Sequence, residues 1–405
     1  MKDAVIVAAV RTAVGKAPKG TLRNTRPDDL GATAIRGAVS RVKELDLKEI
    51  DDVIMGCANQ AGEDNRNIAR MGALLAGLPY SVPGVTVNRL CASSLEAIIQ
   101  GARAIRSGEA EVLIVGGVES MSRAPYSFPK NASGSAIFGN ITAYDTALGW
   151  RYPNPAMAEL FPLESMGETA ENLVETFAIS REDQDAFALE SHKRAVKAQE
   201  TGQFDDEIIP IHIPKKKGDP IIISKDEQPR GDASIEALAK LSPAFRKGGS
   251  VTAGNSSSLN DGAVAMLLAS GEAVKKYGLK PIARYVASGT AGVDPRIMGI
   301  GPVYAIRKAL QNANMTLDQI GLFELNEAFA SQALSCIREL GINQDQVNIH
   351  GGAIAIGHPL GMSGGRIAGH LARTMHKQGI QYGVASLCIG VGQGLAIILE
   401  NTDTR

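Results

Sequence analysis

The sequence predicts an α/β fold built from two similar halves, with a large insertion between them. The first observation behind this is a repeat in hydrophobic spacing. Set beside each other, LDLKEIDDVIM (45–55) and MTLDQIGLFEL (315–325) pair Leu47 with Leu317, Ile50 with Ile320, Val53 with Phe323 and Met55 with Leu325. Similar spacing in the same order of elements marks an internal duplication. The second is that residues 83–117 and 346–394 both read as strand, turn, helix, strand, with β-branched strands alternating with helices as layered α/β packing requires. The third is a change of composition over about 121–250, where Pro and Asn clusters, one helical stretch (SREDQDAFALESHKRAVKAQETG) and a polar segment interrupt the alternation.

In chain order, the first half predicts a strand at Ala4–Val10, a helix from about Pro27 to Val42, a strand at Asp52–Gly56, and then the strand, turn and helix around Cys91. The second half predicts a strand at Pro281–Ser288, a helix at Val303–Asn312, a strand closing at Leu325, and a last strand-turn-helix-strand ending at Tyr382–Leu387. These assign residues 1–120 and 251–273 to an N-terminal half, 121–250 to an inserted lobe suited to a lid or binding role, and 274–405 to a C-terminal half.

The 405 residues carry 42 basic and 43 acidic side chains, a net charge of −1, so nothing draws the protein generally to nucleic acid or to an anionic membrane. No apolar run is long enough to span a bilayer. Four cysteines lie far apart with no C-x-x-C pair, the usage of a reducing cytosol, and a cytoplasmic enzyme is expected. No His/Cys cluster has metal-ligand spacing, and no Walker loop occurs. Glycine is in excess, 44 residues, and seven of them fall between Gly351 and Gly369.

Cys91 closes a predicted strand just before Ser93-Ser94-Leu95-Glu96, a capping-box pattern that would put the sulfur near a helix N-terminus and favour thiolate. The plain alternative is a small buried thiol filling a gap. His358 sits in GGAIAIGHPLG, where Pro359 holds it out of helical geometry. His192, His212, His370 and His376 lie in polar or helical surroundings that need no function. Cys91 and His358 fall in the corresponding strand-to-helix turns of the two halves, and a pseudo-twofold fold could join them as a nucleophile and its base. Cys388 follows the predicted Tyr382–Leu387 strand and precedes Gly390, Gly392 and Gly394; a structural thiol is the alternative. Asn326 ends the duplicated strand, and a helix N-cap is its ordinary role.

The motifs VNRLCASSLEAI, GGVESMSRAP, VTAGNSSSLNDGA, LNEAFA, GGAIAIGHPLGMSGGR and CIGVGQG, in this order from one end of the chain to the other, resemble those of the thiolases, the acyl-CoA C-acyltransferases. The resemblance implies two α/β/α/β/α halves with an inserted loop domain, coenzyme A and acyl-CoA as substrates with no permanently bound cofactor, and a homodimer or homotetramer. It implies Cys91 as nucleophile, His358 as its base and Cys388 as a second acid/base. Asn326, through a water, and His358 would form one oxyanion hole, and the N–H groups of Cys91 and Gly390 the other. Met166, Arg230, Ser257, Ala328 and Phe329 would contact coenzyme A.

Two positions depart from the family pattern: Ser165 replaces a frequent His, and His350 replaces an Asn before two glycines. GCANQAGEDNRNIARMGALLAGLP, ESMSRAP and LGWRYPNP are most similar to the β-ketoadipyl-CoA branch, while VAAVRTAVGKAPKGTLRN is more like thiolases of fatty-acid degradation; acetoacetyl-CoA also remains open. Lys215–Lys217 reads as a solvated turn. Gly361-Met362-Ser363-Gly364-Gly365 matches the G-x-S-x-G of serine hydrolases, though no strand directly precedes it. A non-catalytic, lipid-binding relative would have had no need to keep Cys91, Asn326, His358 and Cys388 together.

Overall fold

The computed structural model describes residues 2–130 and 140–404. One sheet runs through the molecule. Its main strands are β1 (Ala4–Arg11), β2 (Asp52–Gly56), β3 (Val85–Val87), β4 (Val112–Ser120), β5 (Asn260–Ser270), β6 (Ala283–Gly292), β7 (Leu322–Leu325), β8 (Tyr382–Ile389) and β9 (Gln393–Asn401), and a short Gly15–Lys16 strand pairs with β5. The spatial order is β7-β8-β9-β6-β1-β5-β4-β2-β3.

β1 and β6 meet antiparallel at the centre, with Val5 opposite Arg284 and Ile6 opposite Ala283. From that seam the same pairings run outward in both directions. β1–β5 and β5–β4 are antiparallel and β4–β2 is parallel; likewise β6–β9 and β9–β8 are antiparallel and β8–β7 is parallel. The duplication seen in the sequence is therefore a duplication of register. Val53 stands opposite Ile114 in one half, and its counterpart Phe323 stands opposite Val384 in the other. Every residue of β4 and β5 is buried, as expected of strands covered on both faces, whose sequences run apolar without alternation.

The halves differ at their rims. β3 pairs β2 at the N-terminal edge, whereas the predicted strand near residue 347 is reduced to an isolated bridge, Phe323 to Val347. They differ also between their last two strands, where β8 and β9 are joined by the turn at residues 390–392 and β4 and β5 are separated by residues 121–259.

The covering helices are α1 (Pro27–Val39), α2 (Ser93–Ser107), α3 (Met166–Phe177), α4 (Arg181–Glu200), α5 (Gly301–Ala313), α6 (Ala330–Leu340) and α7 (Leu360–Gln378). α1 ends three residues earlier than the sequence suggests, and β6 and β8 each extend further. Consequently Cys388 lies inside β8 rather than after it. α7 belongs in sequence to the C-terminal half, and besides β8 of its own half it packs on α2, β4 and β5 of the N-terminal one. The main core cluster accordingly includes Leu95, Ile114 and Val264 together with Met362, Ile367 and Leu371. Among the described residues, no helix is long and apolar enough to cross a membrane.

Candidate active site

Cys91 lies in a single 3-10 turn, Leu90–Ala92, that leads into α2. The capping box predicted there does not form. The helix is capped at Ala92 without a side-chain bond; Ser93 Oγ instead accepts from Arg89 N at 2.9 Å and donates to Leu90 O at 2.7 Å. Glu96 pairs with Arg89 at 2.8 Å. Leu90 takes φ of 47°, a left-handed conformation uncommon for a branched residue, held by Asn88 Oδ1 accepting its N–H at 2.8 Å. Burial pushes the Cys91 thiol up to about 11, opposed by the Gly390 N–H. The shift runs against the expected bias toward thiolate: desolvation outweighs the backbone N–H groups of Gly390 and Cys91.

His358 precedes α7, and its loop is fastened from several sides. Asn260 Oδ1 accepts the His358 N–H at 2.8 Å. Gly357 has φ of 113°, and a Cβ there would meet the Asn260 carboxamide at 2.6 Å, so the position requires glycine. Ser363 Oγ donates to Pro359 O at 2.8 Å, which leaves its oxygen to accept from His358 Nδ1 at 2.6 Å. That network assigns the proton to Nδ1 and leaves Nε2 with its lone pair. Burial, with Arg366 adding to it, pushes the imidazole down to about 3, so it rests neutral and able to accept a proton.

Asn326 is not a helix N-cap, since α6 begins at Ala330 with Phe329 as its cap. Its N–H donates to Ser386 O at 3.0 Å, and Nδ2 lies 3.4 Å from His358 Nε2. Asn348 staples the preceding strand end, accepting from Leu325 N at 2.9 Å and donating to Leu325 O at 2.8 Å.

Cys91, His358, Cys388 and Gly390 line one mostly apolar cavity of about 340 Å³, together with Met166, Ser257, Ala328 and Phe329. Cys388 is buried, and burial followed by the nearby Cys91 holds its thiol well above the usual range. Met166, at the start of α3, reaches the turn after β8: its Sδ lies 3.4 Å from where a Cβ on Gly390 would stand. Arg230 is exposed and does not line this cavity; its N–H donates to His192 Nδ1 at 3.2 Å. Lys215–Lys217 form an exposed turn. His350 is also outside, its Nδ1 3.0 Å from His370 Nε2. Ser363 lies fully buried within α7 and is engaged at both ends, so it has no place as a hydrolase nucleophile.

Reasoning from sequence passed over Asn260 and Glu119, although both stand in the quoted motifs, and treated Ser363 as a rival nucleophile rather than a partner of His358. Glu119 accepts from the N–H groups of Ala58, Asn59 and Gly361 at 3.0, 3.0 and 2.8 Å, clamping the first residues of α7 to the loop after β2. Burial pushes its carboxyl up to about 7. Among the described residues, Cys57, Asp64 and Glu119 gather within 4.8 Å. These backbone bonds, and the Cys57 thiol donating to Asn59 O at 2.9 Å, already engage that cluster structurally.

Comparison with known proteins gives the family. The family models for the thiolase N-terminal and C-terminal domains match residues 4–272 and 279–401. The β-ketoadipyl-CoA thiolase of Acinetobacter baylyi is 52% identical over 99% of this chain and 100% of its own. The 3-oxoadipyl-CoA/3-oxo-5,6-dehydrosuberyl-CoA thiolase of Escherichia coli is 51% identical, covering 99% of this chain and 100% of its own. Among solved structures, the Bacillus anthracis acetyl-CoA acetyltransferase superposes with a TM-score of 0.92 at 43% identity, covering 99% of both chains. Human mitochondrial 3-ketoacyl-CoA thiolase in complex with CoA gives 0.91 at 41%, covering 99% of this chain and 98% of its own. The chain belongs to the thiolase family and is an acyltransferase acting through that family's fold.

Proposed function

We propose that the protein is a thiolase for 3-oxoadipyl-CoA, cleaving it with coenzyme A to acetyl-CoA and succinyl-CoA, by way of an acyl group carried on Cys91. The observation that carries this reading is the meeting of two thiols and one neutral imidazole in a single apolar cavity. Cys91 Sγ attacks C3 of the substrate while its proton passes to His358 Nε2. Because both groups rest neutral, the proton moves with the attack rather than ahead of it. The C2–C3 bond breaks, its electrons enter the thioester enolate, and Cys388 protonates C2 to release acetyl-CoA. In the second half, the incoming CoA thiol gives its proton to Cys388 and attacks the acyl group; Cys91 leaves and recovers its proton from His358.

Negative charge develops on two different oxygens, and each needs preorganised donors, worth about 3–4 kcal/mol apiece. The N–H groups of Cys91 and Gly390 serve the tetrahedral adduct; His358 and a water held by Asn326 serve the enolate. The lobe at 121–250 binds coenzyme A, with Met166, Ser257, Ala328 and Phe329 along the pantetheine arm and Arg230 near the nucleotide end. The dicarboxylic substrate is preferred here over general fatty acyl chains because two full-length relatives at 52% and 51% identity carry that name. The four unpaired cysteines suit a reducing compartment such as the cytoplasm. A homo-oligomer through the edge strand β3 is supported by the exposed Val85 within it and the exposed Leu75 and Tyr80 before it.

The test is kcat/KM for thiolysis across acetoacetyl-, medium-chain 3-ketoacyl- and 3-oxoadipyl-CoA, with the acyl-enzyme burst measured alongside. A burst equal to the active-site concentration and a preference for 3-oxoadipyl-CoA are expected. A preference for acetoacetyl-CoA would replace the substrate, and normal turnover by Cys91→Ser would overturn the mechanism.

A further inference from the structure

The cavity holding Cys91, His358 and Cys388 has mostly apolar walls, and among the described residues one lysine or arginine lines it: Arg151. Arg151 comes from LGWRYPNP in the inserted lobe and is half-buried. Its Nη1 donates to Thr146 O at 3.1 Å, and the Thr146 hydroxyl accepts from Asn59 Nδ2 at 3.4 Å. Arg151 therefore belongs to the wall that carries Asn59. Ser257, whose N–H donates to Ala328 O at 3.0 Å, belongs with Ala328 and Phe329 to another.

A guanidinium has five donors, and one carbonyl leaves most of them unused. Among the described residues no carboxylate stands within ion-pair distance of Arg151, and residues 131–139 contain no Asp or Glu. The acidic residue that shares the cavity, Glu164, is engaged elsewhere: Arg296 lies 3.2 Å away and Asn172 Nδ2 donates to it at 2.9 Å. A partly desolvated cation beside an apolar pocket, with no counter-ion of its own, is a site for an anion brought by the ligand. The planar fork of arginine matches a carboxylate bidentately.

We propose that Arg151 binds the distal carboxylate of a dicarboxylic 3-ketoacyl-CoA and so determines which acyl chain this cavity accepts. The proposal rests on the thiolase reading above and deepens it. It gives the six-carbon dicarboxylic chain a charged anchor at the end remote from the reacting carbonyl. A monocarboxylic chain of the same length places a methyl group against an unpaired guanidinium and forfeits that bond.

The experiment compares 3-oxoadipyl-CoA with 3-oxohexanoyl-CoA, which has the same carbon count and a methyl group in place of the carboxylate. The full chain is assayed as wild type, Arg151→Gln and Arg151→Lys, with rates normalised to the acyl-enzyme burst on acetoacetyl-CoA so that misfolded protein is not counted. Wild type favours 3-oxoadipyl-CoA. Arg151→Gln lowers kcat/KM for that substrate by about 10- to 100-fold, mainly through KM, and leaves 3-oxohexanoyl-CoA within about twofold. Arg151→Lys falls between, because it keeps the charge and loses the fork. A wild-type preference that survives in Arg151→Gln overturns the role of Arg151 alone. An equal loss on both substrates overturns it too, pointing to a coenzyme A contact. A wild type without the preference overturns the substrate reading and this inference together.

Discussion

The turn into α2 and the turn into α7 occupy equivalent places in the two halves, yet they are built differently. The first is a tight 3-10 turn strained at Leu90, and it delivers a thiol; the second is a glycine-lined loop fastened by Asn260 and Ser363, and it delivers an imidazole. The halves diverge again between their last two strands, where β4 continues into the long insertion and β8 closes in a three-residue turn beside Cys388. Duplication supplied a scaffold with two matching turns facing one cavity. The chemistry resides where the copies stopped matching.

Breaking the thiol turn has the largest expected effect. Cys91→Ala should lower thiolysis by at least about 10³-fold and abolish the burst, because no other group can carry the acyl intermediate. Breaking the imidazole turn comes next: His358→Asn should cost about 10²–10⁴-fold in kcat. Ser363→Ala, which removes the bond that sets the tautomer but not the ring, should cost about tenfold or less. Equal losses for these two variants would mean that Ser363 does more than orient the ring.

The protonation of the resting pair gives a third measurement. With the Cys91 thiol at about 11, alkylation of the free enzyme by iodoacetamide should keep rising beyond pH 9, close to tenfold per pH unit. A plateau near pH 8 would show that the turn stabilises thiolate after all. The smallest effect concerns the missing capping box. Arg89 is 29% accessible but Glu96 only 9%, and Glu96→Gln keeps an oxygen that can accept from Arg89, so it should cost about 1 kcal/mol by thermal denaturation.

Those expectations also mark what the sequence could reveal. The duplicated register was legible because buried strand positions admit few residue types, so Val53 and Phe323 kept their apolar character and their spacing. The turns carrying Cys91 and His358 were legible as equivalent places for the same reason. The capping box misled because Ser93 had nearer partners, the backbone of Arg89 and Leu90, than the helix N–H groups its spacing suggested. The direction of the Cys91 shift was hidden because desolvation depends on what packs over the sulfur, and α3 and the 390–392 turn arrive from distant parts of the chain. The orienting role of Ser363 was hidden for a simpler reason. In α7 it lies five residues after His358, and only the path of the loop turns that spacing into a hydrogen bond.

The seating of α7 has a consequence for how the protein is made. Gly361 and Gly365 bring that helix against the backbone of Gly117 and the side chain of Val264, so the N-terminal half is unroofed until residues near the end of the chain exist. At ~5–20 residues per second, the stretch between α2 and α7 takes on the order of 10–50 s to synthesise. Throughout that interval Leu95 has no lid, and Val264 has none from its own synthesis onward. A nascent chain stalled before residue 360 should therefore present a sticky, protease-sensitive face, and a helix of the second half is the one that seals the first.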